Sequence, residues 1–363
     1  MTAEFELRLT KLRQRMSADG QQALLVFSLD NLRYLANYSG EAAYGIVTMD
    51  QVFLITDYRF IEQAEEECFA CQFICRNRDQ QSLGQAIREV LDAEHVSSLL
   101  FEAGHINLQM WSGIAQELEG IAFAPCTGLI EELRKIKDEW EIAQIRKAAA
   151  IADRALHDSL PLLRTGVSER DFALELEYRM QKLGSEGLSF PSIVGFGPRS
   201  ALPHCIPSEK KLAEGDLVVI DFGAVVNGYR SDMTRSFVVG KASTQQKKMY
   251  DTVLRAQQAA LDSLHAGQPA TITSSAASDI LQASEFANYT STGLGHGVGI
   301  QLHEQPFISP VCQDVFQANY VVTIEPGIYI PGYGGVRIED DVLILDDGYS
   351  FISHAPKVFE LPI

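Results

Sequence analysis

The chain has 363 residues, 46% hydrophobic and 21% charged, with a formal charge of −18. That length exceeds what one hydrophobic core usually organises, so two domains are expected. The negative balance opposes binding to nucleic-acid phosphates or anionic membrane, and no apolar run approaches the roughly 18 residues of a membrane span.

The opening stretch MTAEFELRLTKLRQRM is charged throughout and has no apolar core of a signal peptide, so a cytoplasmic protein is expected. Phe5, Leu9, Leu12 and Met16 fall near one face of a helix. Short apolar runs follow at 23–27, 45–49, 52–56 and 97–101, alternating with helical stretches such as YRFIEQAEEECFA and LGQAIREVLDAEH. That rhythm describes an α/β domain. The six cysteines (Cys68, Cys71, Cys75, Cys126, Cys205 and Cys312) are scattered, and no disulfide framework is expected of them. Cys68, Cys71 and Cys75 have zinc-like local spacing, but no second Cys or His pair completes a tetrahedral site. Packing on a helix face is the expected role for these three.

The pattern changes near residue 128, giving an N-terminal domain over 1–127 and a second over 128–363. LIEELRKIKDEWEIAQIRKAAAIADRALHDSL reads as one long helix or two joined ones, and ERDFALELEYRMQKLG as another ending at Gly184. From residue 191 onward strands and hairpins dominate, with one helix around 243–265. The second domain is therefore expected to be α+β.

The residues suited to catalysis lie in that second domain. In DLVVIDFGAVVNGYRSDMTRSFVVG, two strand-like runs flank Asn227-Gly228, a strong hairpin signal. With those two as the turn, Asp232 stands across from Gly223 and Asp221 shares its face one diagonal away. In VVTIEPGIYIPGYGGVRIEDDVLIL, Glu325 and Glu339 share a face if the loop centres on Gly332 or Tyr333, and are separated if it centres between them. His296 sits among Gly295, Gly297 and Gly299, and His303 follows. Four carboxylates and an imidazole make a hard site suited to two Mn²⁺, Co²⁺ or Zn²⁺ ions. Two such ions can share a water, lower its pKa and polarise a carbonyl, which is hydrolytic chemistry.

IDFG, SDMTR, GHGVG, HE, TIEPGIYIPG and GVRIED stand here in the order and approximate spacing of the pita-bread metallopeptidases. That family includes methionine aminopeptidase, aminopeptidase P, prolidase and creatinase. The first domain, through NLRYLANYSG and ITDYRFIEQA, resembles the N-terminal domain of prolidases, aminopeptidases P and creatinases, which methionine aminopeptidases lack. The resemblance implies an α/β N-terminal domain plus an α+β pita-bread catalytic domain. It implies a homodimeric Xaa-Pro aminopeptidase or dipeptidase, acting on peptides or dipeptides with proline second and using two divalent ions, manganese first.

Residue by residue, it implies metal binding by Asp221, Asp232, His296, Glu325 and Glu339, with Asp232 and Glu339 bridging. Glu325 becomes the general acid/base, passing a proton from water to the leaving nitrogen. His204 and His303 contact the substrate carbonyl and stabilise developing charge. Arg337 orients a ligand carboxylate or holds substrate, a purely structural buried ion pair being the alternative. The sequence departs from the proline-selective pattern at Thr292, where a histidine is usual, and more mildly at Leu302. Thr292 keeps open a broader aminopeptidase or a creatinase-like amidinohydrolase. A catalytically silent binding module is the alternative of another class, and a complete ligand set opposes it.

Overall fold

The computed structural model describes residues 2–362 and divides into two compact units, Met1–Arg134 and Lys135–Ile363. The first unit runs α1 (Thr2–Ala18), β1 (Ala23–Val26), α2 (Leu29–Ala36), β2 (Tyr44–Thr48), β3 (Val52–Thr56) and α3 (Ile61–Glu67). It continues through β4 (Gln72–Cys75), α4 (Leu83–Ala93), β5 (Ser98–Glu102), α5 (Leu108–Glu117), β6 (Ala122–Cys126) and α6 (Glu131–Arg134). Its six strands form one sheet in the order β4-β3-β2-β1-β5-β6. Strands β1, β2 and β3 pair antiparallel, β2 and β3 as a hairpin and β1 with β2 across α2, and the outer strands join in parallel. Ser28, Ser82 and Asn107 start α2, α4 and α5 by accepting an orphan backbone N–H, the ordinary role of an N-cap.

The first unit runs to Arg134, whose Nη1 donates to Asn31 Oδ1 at 2.8 Å, and Arg15 Nη1 donates to the Leu129 carbonyl at 3.3 Å. One expectation for this unit is corrected. Cys68, Cys71 and Cys75 do not share a helix face. Helix α3 stops at Glu67, Cys71 follows a bend, and Cys75 lies on β4. The stop is imposed by tertiary bonds: Asn37 Nδ2 donates to the Glu67 carbonyl at 3.0 Å, and Ser39 donates its N–H and hydroxyl to the Glu67 carboxylate.

The second unit begins with α7 (Glu139–Ser159), α8 (Glu169–Lys182), β7 (Ile193–Phe196), β8 (Leu217–Phe222), β9 (Val225–Val226), β10 (Tyr229–Arg230) and β11 (Met233–Val239). After α9 (Thr244–Asp262) and α10 (Ala270–Gln282) come β12 (Gly295–Gly297), β13 (Glu304–Ile308), β14 (Val321–Ile324), β15 (Gly327–Ile330), β16 (Gly334–Arg337), β17 (Asp340–Leu345), β18 (Gly348–Phe351) and β19 (Glu360–Leu361). Two main sheets result, β19-β11-β8-β7 and β13-β12-β14-β17-β18. Each buries an apolar face under a helix pair. Phe172 and Leu176 of α8 join Val218 and Ile220 of β8 in one core, while Val253 of α9 and Leu281 of α10 join Ile324 and Val342 in the other. This is the α+β pita-bread arrangement.

The stretch 129–160 resolves into two helices rather than one. Asp138 caps α7 in a reciprocal capping box with Glu141, which fixes a helix start where the sequence continues amphipathic. Helix α10 was not expected. Its first turn follows Pro269 with no side-chain cap, and its serines and threonines are modest helix formers. Burial of Ala270, Thr273, Ser274, Ala277 and Leu281 along one face overrides that weak local preference.

Candidate metal centre and cleft

The Asn227-Gly228 turn fixes the first carboxylate pair. Both residues take positive φ, 48° and 76°, as a tight hairpin turn of matching twist requires. One register then runs from Val226 opposite Tyr229 to Leu217 opposite Val238. It places Asp232 across from Gly223 and Asp221 beside Thr234. Gly223 is needed there, since a Cβ would stand 1.9 Å from the Ser231 carbonyl oxygen.

The second pair arises the same way. Gly327 faces Arg337 and Ile330 faces Gly334 in β15 and β16, while Ile324 faces Asp340 in β14 and β17. The two segments share one register centred on Gly332, which sets Glu325 opposite Glu339. Between the two carboxylate pairs comes β12. Its His296 is flanked by β13 on one side and β14 on the other. Gly295 and Gly297 have no room for a Cβ, which would lie 2.0 and 2.4 Å from the carbonyl oxygens of Thr323 and Gln305.

One ligand atom from each of Asp232, His296 and Glu339 lies within 4.8 Å of the others. His296 Nε2 is 3.6 Å from Asp232 Oδ2 and 3.4 Å from Glu325 Oε1. Asp221 is tied to the group through Arg337, whose Nη2 donates to Asp221 Oδ2 at 2.5 Å. Burial pushes Asp232 and Glu339 well above the usual carboxylate range, and the mutual repulsion of the acids pushes them further. Burial, opposed by Arg337, pushes Glu325 up to about 7. Burial lowers His296 to about 4, so its ring is neutral at physiological pH.

These residues fit a cation. Asp221 Oδ1 and Asp232 Oδ1 are buried without a hydrogen-bond partner among the described residues. An acceptor-only carboxylate left that way is costly unless something positive satisfies it. His296 Nδ1 is 3.0 Å from the Gly297 carbonyl, which can only accept, so the ring proton belongs on Nδ1. The bare Nε2 lone pair then faces carboxylate oxygens that, once ionised, also only accept. A divalent ion among them turns that repulsion into coordination.

The cluster lies in the wall of a cleft of about 960 Å³. His204 and His303 also line the cleft, as do the apolar side chains Phe190, Ile193, Leu302 and Phe307. The His303 ring stands edge-on to His296 with centroids 4.4 Å apart. Burial and the nearby His204 lower the pKa of His303. Thr292 is exposed and does not line the cleft, whereas its neighbours Ser291 and Gly293 do.

Several supporting residues escape sequence reasoning. Thr234 donates its hydroxyl to Glu339 Oε2 at 2.6 Å and receives Arg337 Nε at 2.9 Å. Tyr329, in the quoted IEPGIYIPG run, accepts Arg337 Nη1 at 2.8 Å. Asp341 accepts the Asp232 N–H at 2.8 Å, and the doubled acid after Glu339 was its one sequence signal. Arg235 holds Asp340 at 2.6 Å and donates to the Glu339 carbonyl, fixing the ligand strand from behind.

Comparison with known proteins places this geometry. Residues 143–346 match metallopeptidase family M24, and residues 8–136 match the creatinase/prolidase N-terminal domain. The chain is 36% identical over 342 residues to the Xaa-Pro dipeptidase of Pyrococcus furiosus, covering 94% of this chain and 96% of that one. Among solved structures, an Xaa-Pro dipeptidase from Bacillus anthracis superposes with a TM-score of 0.94 at 34% identity, covering 98% of this chain and 100% of that one. An X-Pro aminopeptidase from Thermotoga maritima superposes at 0.89 and 30% identity, covering 96% and 100%. The chain therefore belongs to metallopeptidase family M24, a family of enzymes that use divalent metal ions, and it carries the creatinase/prolidase N-terminal domain.

Proposed function

We propose that the protein is an exopeptidase that hydrolyses the Xaa-Pro bond of dipeptides, and of longer peptides where the cleft admits them. The observation that carries this reading is the convergence of four acids and a neutral imidazole, two of the acids with unsatisfied buried oxygens, in the wall of a partly apolar cleft. The names of the similar enzymes from P. furiosus, B. anthracis and T. maritima support proline in the second position.

Asp221, Asp232, His296, Glu325 and Glu339 would hold two divalent ions, and a carboxylate-rich set of this kind suits manganese. Bound there, the ions supply a nucleophile from water at neutral pH and polarise the scissile carbonyl. The protein's own groups do the rest. Glu325 takes the water's proton and delivers it to the leaving nitrogen. His204 and His303 offer N–H groups to the carbonyl oxygen as it gains charge. Arg337 positions Asp221, and the apolar cleft residues take up the pyrrolidine ring. The reading extends to a cytoplasmic homodimer. Six free cysteines are consistent with a reducing compartment, and the homodimer is carried by resemblance alone.

A broader aminopeptidase is a second reading, favoured by one observation, Thr292 in place of an imidazole. Hydrolysis of Ala-Pro, Ala-Ala, Ala-Pro-Ala and Ala-Ala-Ala by Mn²⁺-loaded protein, with a chelated control, separates the two. Metal-dependent cleavage of Ala-Pro with little turnover of the alanine peptides is expected. Equal cleavage of all four would replace proline selectivity with the broader reading, and no cleavage with any metal would overturn both.

A further inference from the structure

The Glu304 carboxylate ties a short loop to itself. Glu304 faces Gly297 where β12 and β13 meet, and residues 298–303 loop out between them. Its Oε1 accepts the Gln301 N–H at 3.0 Å, which closes a turn whose two inner residues are Leu302 and His303, both in the cleft wall. Gly299 makes room for this, since a Cβ there would stand 2.7 Å from Glu304 Oε2. The first half of the loop is held by Arg230, whose N–H donates to the Gly299 carbonyl at 2.8 Å and whose Nε donates to the Ile300 carbonyl at 2.9 Å. His303 itself is exposed, so little packing holds its ring, and the backbone that carries it sets where it stands.

The other carboxylate oxygen is held from outside the loop. Lys137 Nζ donates to Glu304 Oε2 at 3.2 Å, with the two side chains 1% and 7% exposed. Backbone pins the lysine on both sides. Its N–H donates to the Asn319 carbonyl at 3.0 Å, and Asp138, next in the chain, opens α7 through its capping box. A buried ion pair is often no more stable than the apolar side chains that could replace it, so stability gives little reason for an ammonium here. Position does. An N–H on one oxygen and a pinned ammonium on the other fix the plane of the carboxylate, and with it the turn. We propose, building on the function proposed for His303 at the substrate carbonyl, that Lys137 is a positioning residue for the reaction. It acts through Glu304 to set where His303 stands in the cleft.

The test is a double-mutant cycle of Lys137→Met and His303→Ala in Mn²⁺-loaded protein, read as kcat and KM for Ala-Pro. Lys137→Met is expected to lower kcat about 10-fold or more with KM little changed, because a well-placed oxyanion donor is worth about 10²–10³ in kcat. In the His303→Ala background the same substitution should change kcat by less than about 2-fold. Equal losses in the two backgrounds, or an unchanged kcat in Lys137→Met, would overturn the proposal. Where Lys137→Met folds poorly, its combination with Glu304→Gln removes both charges and keeps an acceptor for the Gln301 N–H, and the same dependence on His303 is expected. A second measurement does not depend on cleavage. In Zn²⁺-loaded protein with ¹³C-labelled histidines, the ring signal that His303→Ala removes should shift in Lys137→Met, while that of His157, in the last turn of α7, holds. An unmoved His303 signal would overturn the proposal. A shifted signal beside a wild-type protein that cleaves no Ala-Pro would keep the placement of His303 and overturn the function proposed for it.

Discussion

Arg337 closes on Asp221 at 2.5 Å in a pocket where the guanidinium is 4% exposed and the carboxylate 11%. Its other nitrogens reach Thr234, Tyr329 and the Pro203 carbonyl, so a single side chain spans the β8–β11 hairpin and the β15–β16 hairpin. Removing one partner of a buried ion pair leaves an uncompensated charge and costs about 3–5 kcal/mol. Arg337→Met is therefore expected to lose about that much stability when metal-free, and less when metal-loaded, because ions at the site take over the charge of Asp221. Urea unfolding with manganese and with chelator measures both. An equal loss in the two conditions would show that Asp221 does not serve the metals.

Glu325→Gln keeps the shape of the side chain and removes its proton chemistry. Turnover of Ala-Pro is expected to fall by about 10²–10⁴-fold with the fold intact and most of the metal retained. Steady-state kinetics beside metal analysis checks this, and near-normal kcat in the variant would assign the proton transfer elsewhere.

The pH dependence of the metal-free protein has a definite sign. Burial raises Asp232, Glu339 and Asp341 well above their ordinary values, and Glu325 to about 7. Between the unfolded value near 4.5 and about 7, the folded chain holds the Glu325 proton that the unfolded chain has lost. Stability from that proton is present at low pH and disappears as pH rises through about 7. Thermal unfolding in chelator should thus weaken from pH 5.5 to 8, the metal-loaded protein should resist that trend, and metal uptake should release protons. A flat profile in chelator would contradict the burial of the acids.

Gly228 has φ of 76° in the turn that sets the spacing of Asp221 and Asp232. Gly228→Val forces a β-branched residue into left-handed backbone and should cost about 1–2 kcal/mol. Manganese affinity should weaken with it, by calorimetric titration. Unchanged affinity would mean that the pairing of β8 with β11 alone holds the register.

What the sequence disclosed followed from local chemistry. Asn-Gly dictates a two-residue turn, so the offset between Asp221 and Asp232 could be counted outward from it. The Glu325–Glu339 pairing was legible only conditionally, because Pro331-Gly332-Tyr333 does not announce its own centre. The seating of His296 against both pairs depends on β12 lying between β13 and β14, a non-local pairing with no local signal. Thr234 and Asp341 became visible only when their partners from distant strands did. The end of α3 was misread because the bonds from Asn37 and Ser39 that stop it come from another element.

The unbroken register on either side of Asn227-Gly228 has a consequence for how this chain can change length. Strand side chains alternate faces, so adding or deleting one residue in either arm between the turn and its acid turns that acid away from its partner. Substitutions along the arms keep the count, and so do insertions beyond the acids. Across related chains, length differences should therefore collect outside these stretches, and the number of residues from Asp221 to Asp232 should stay constant where the intervening sequence does not.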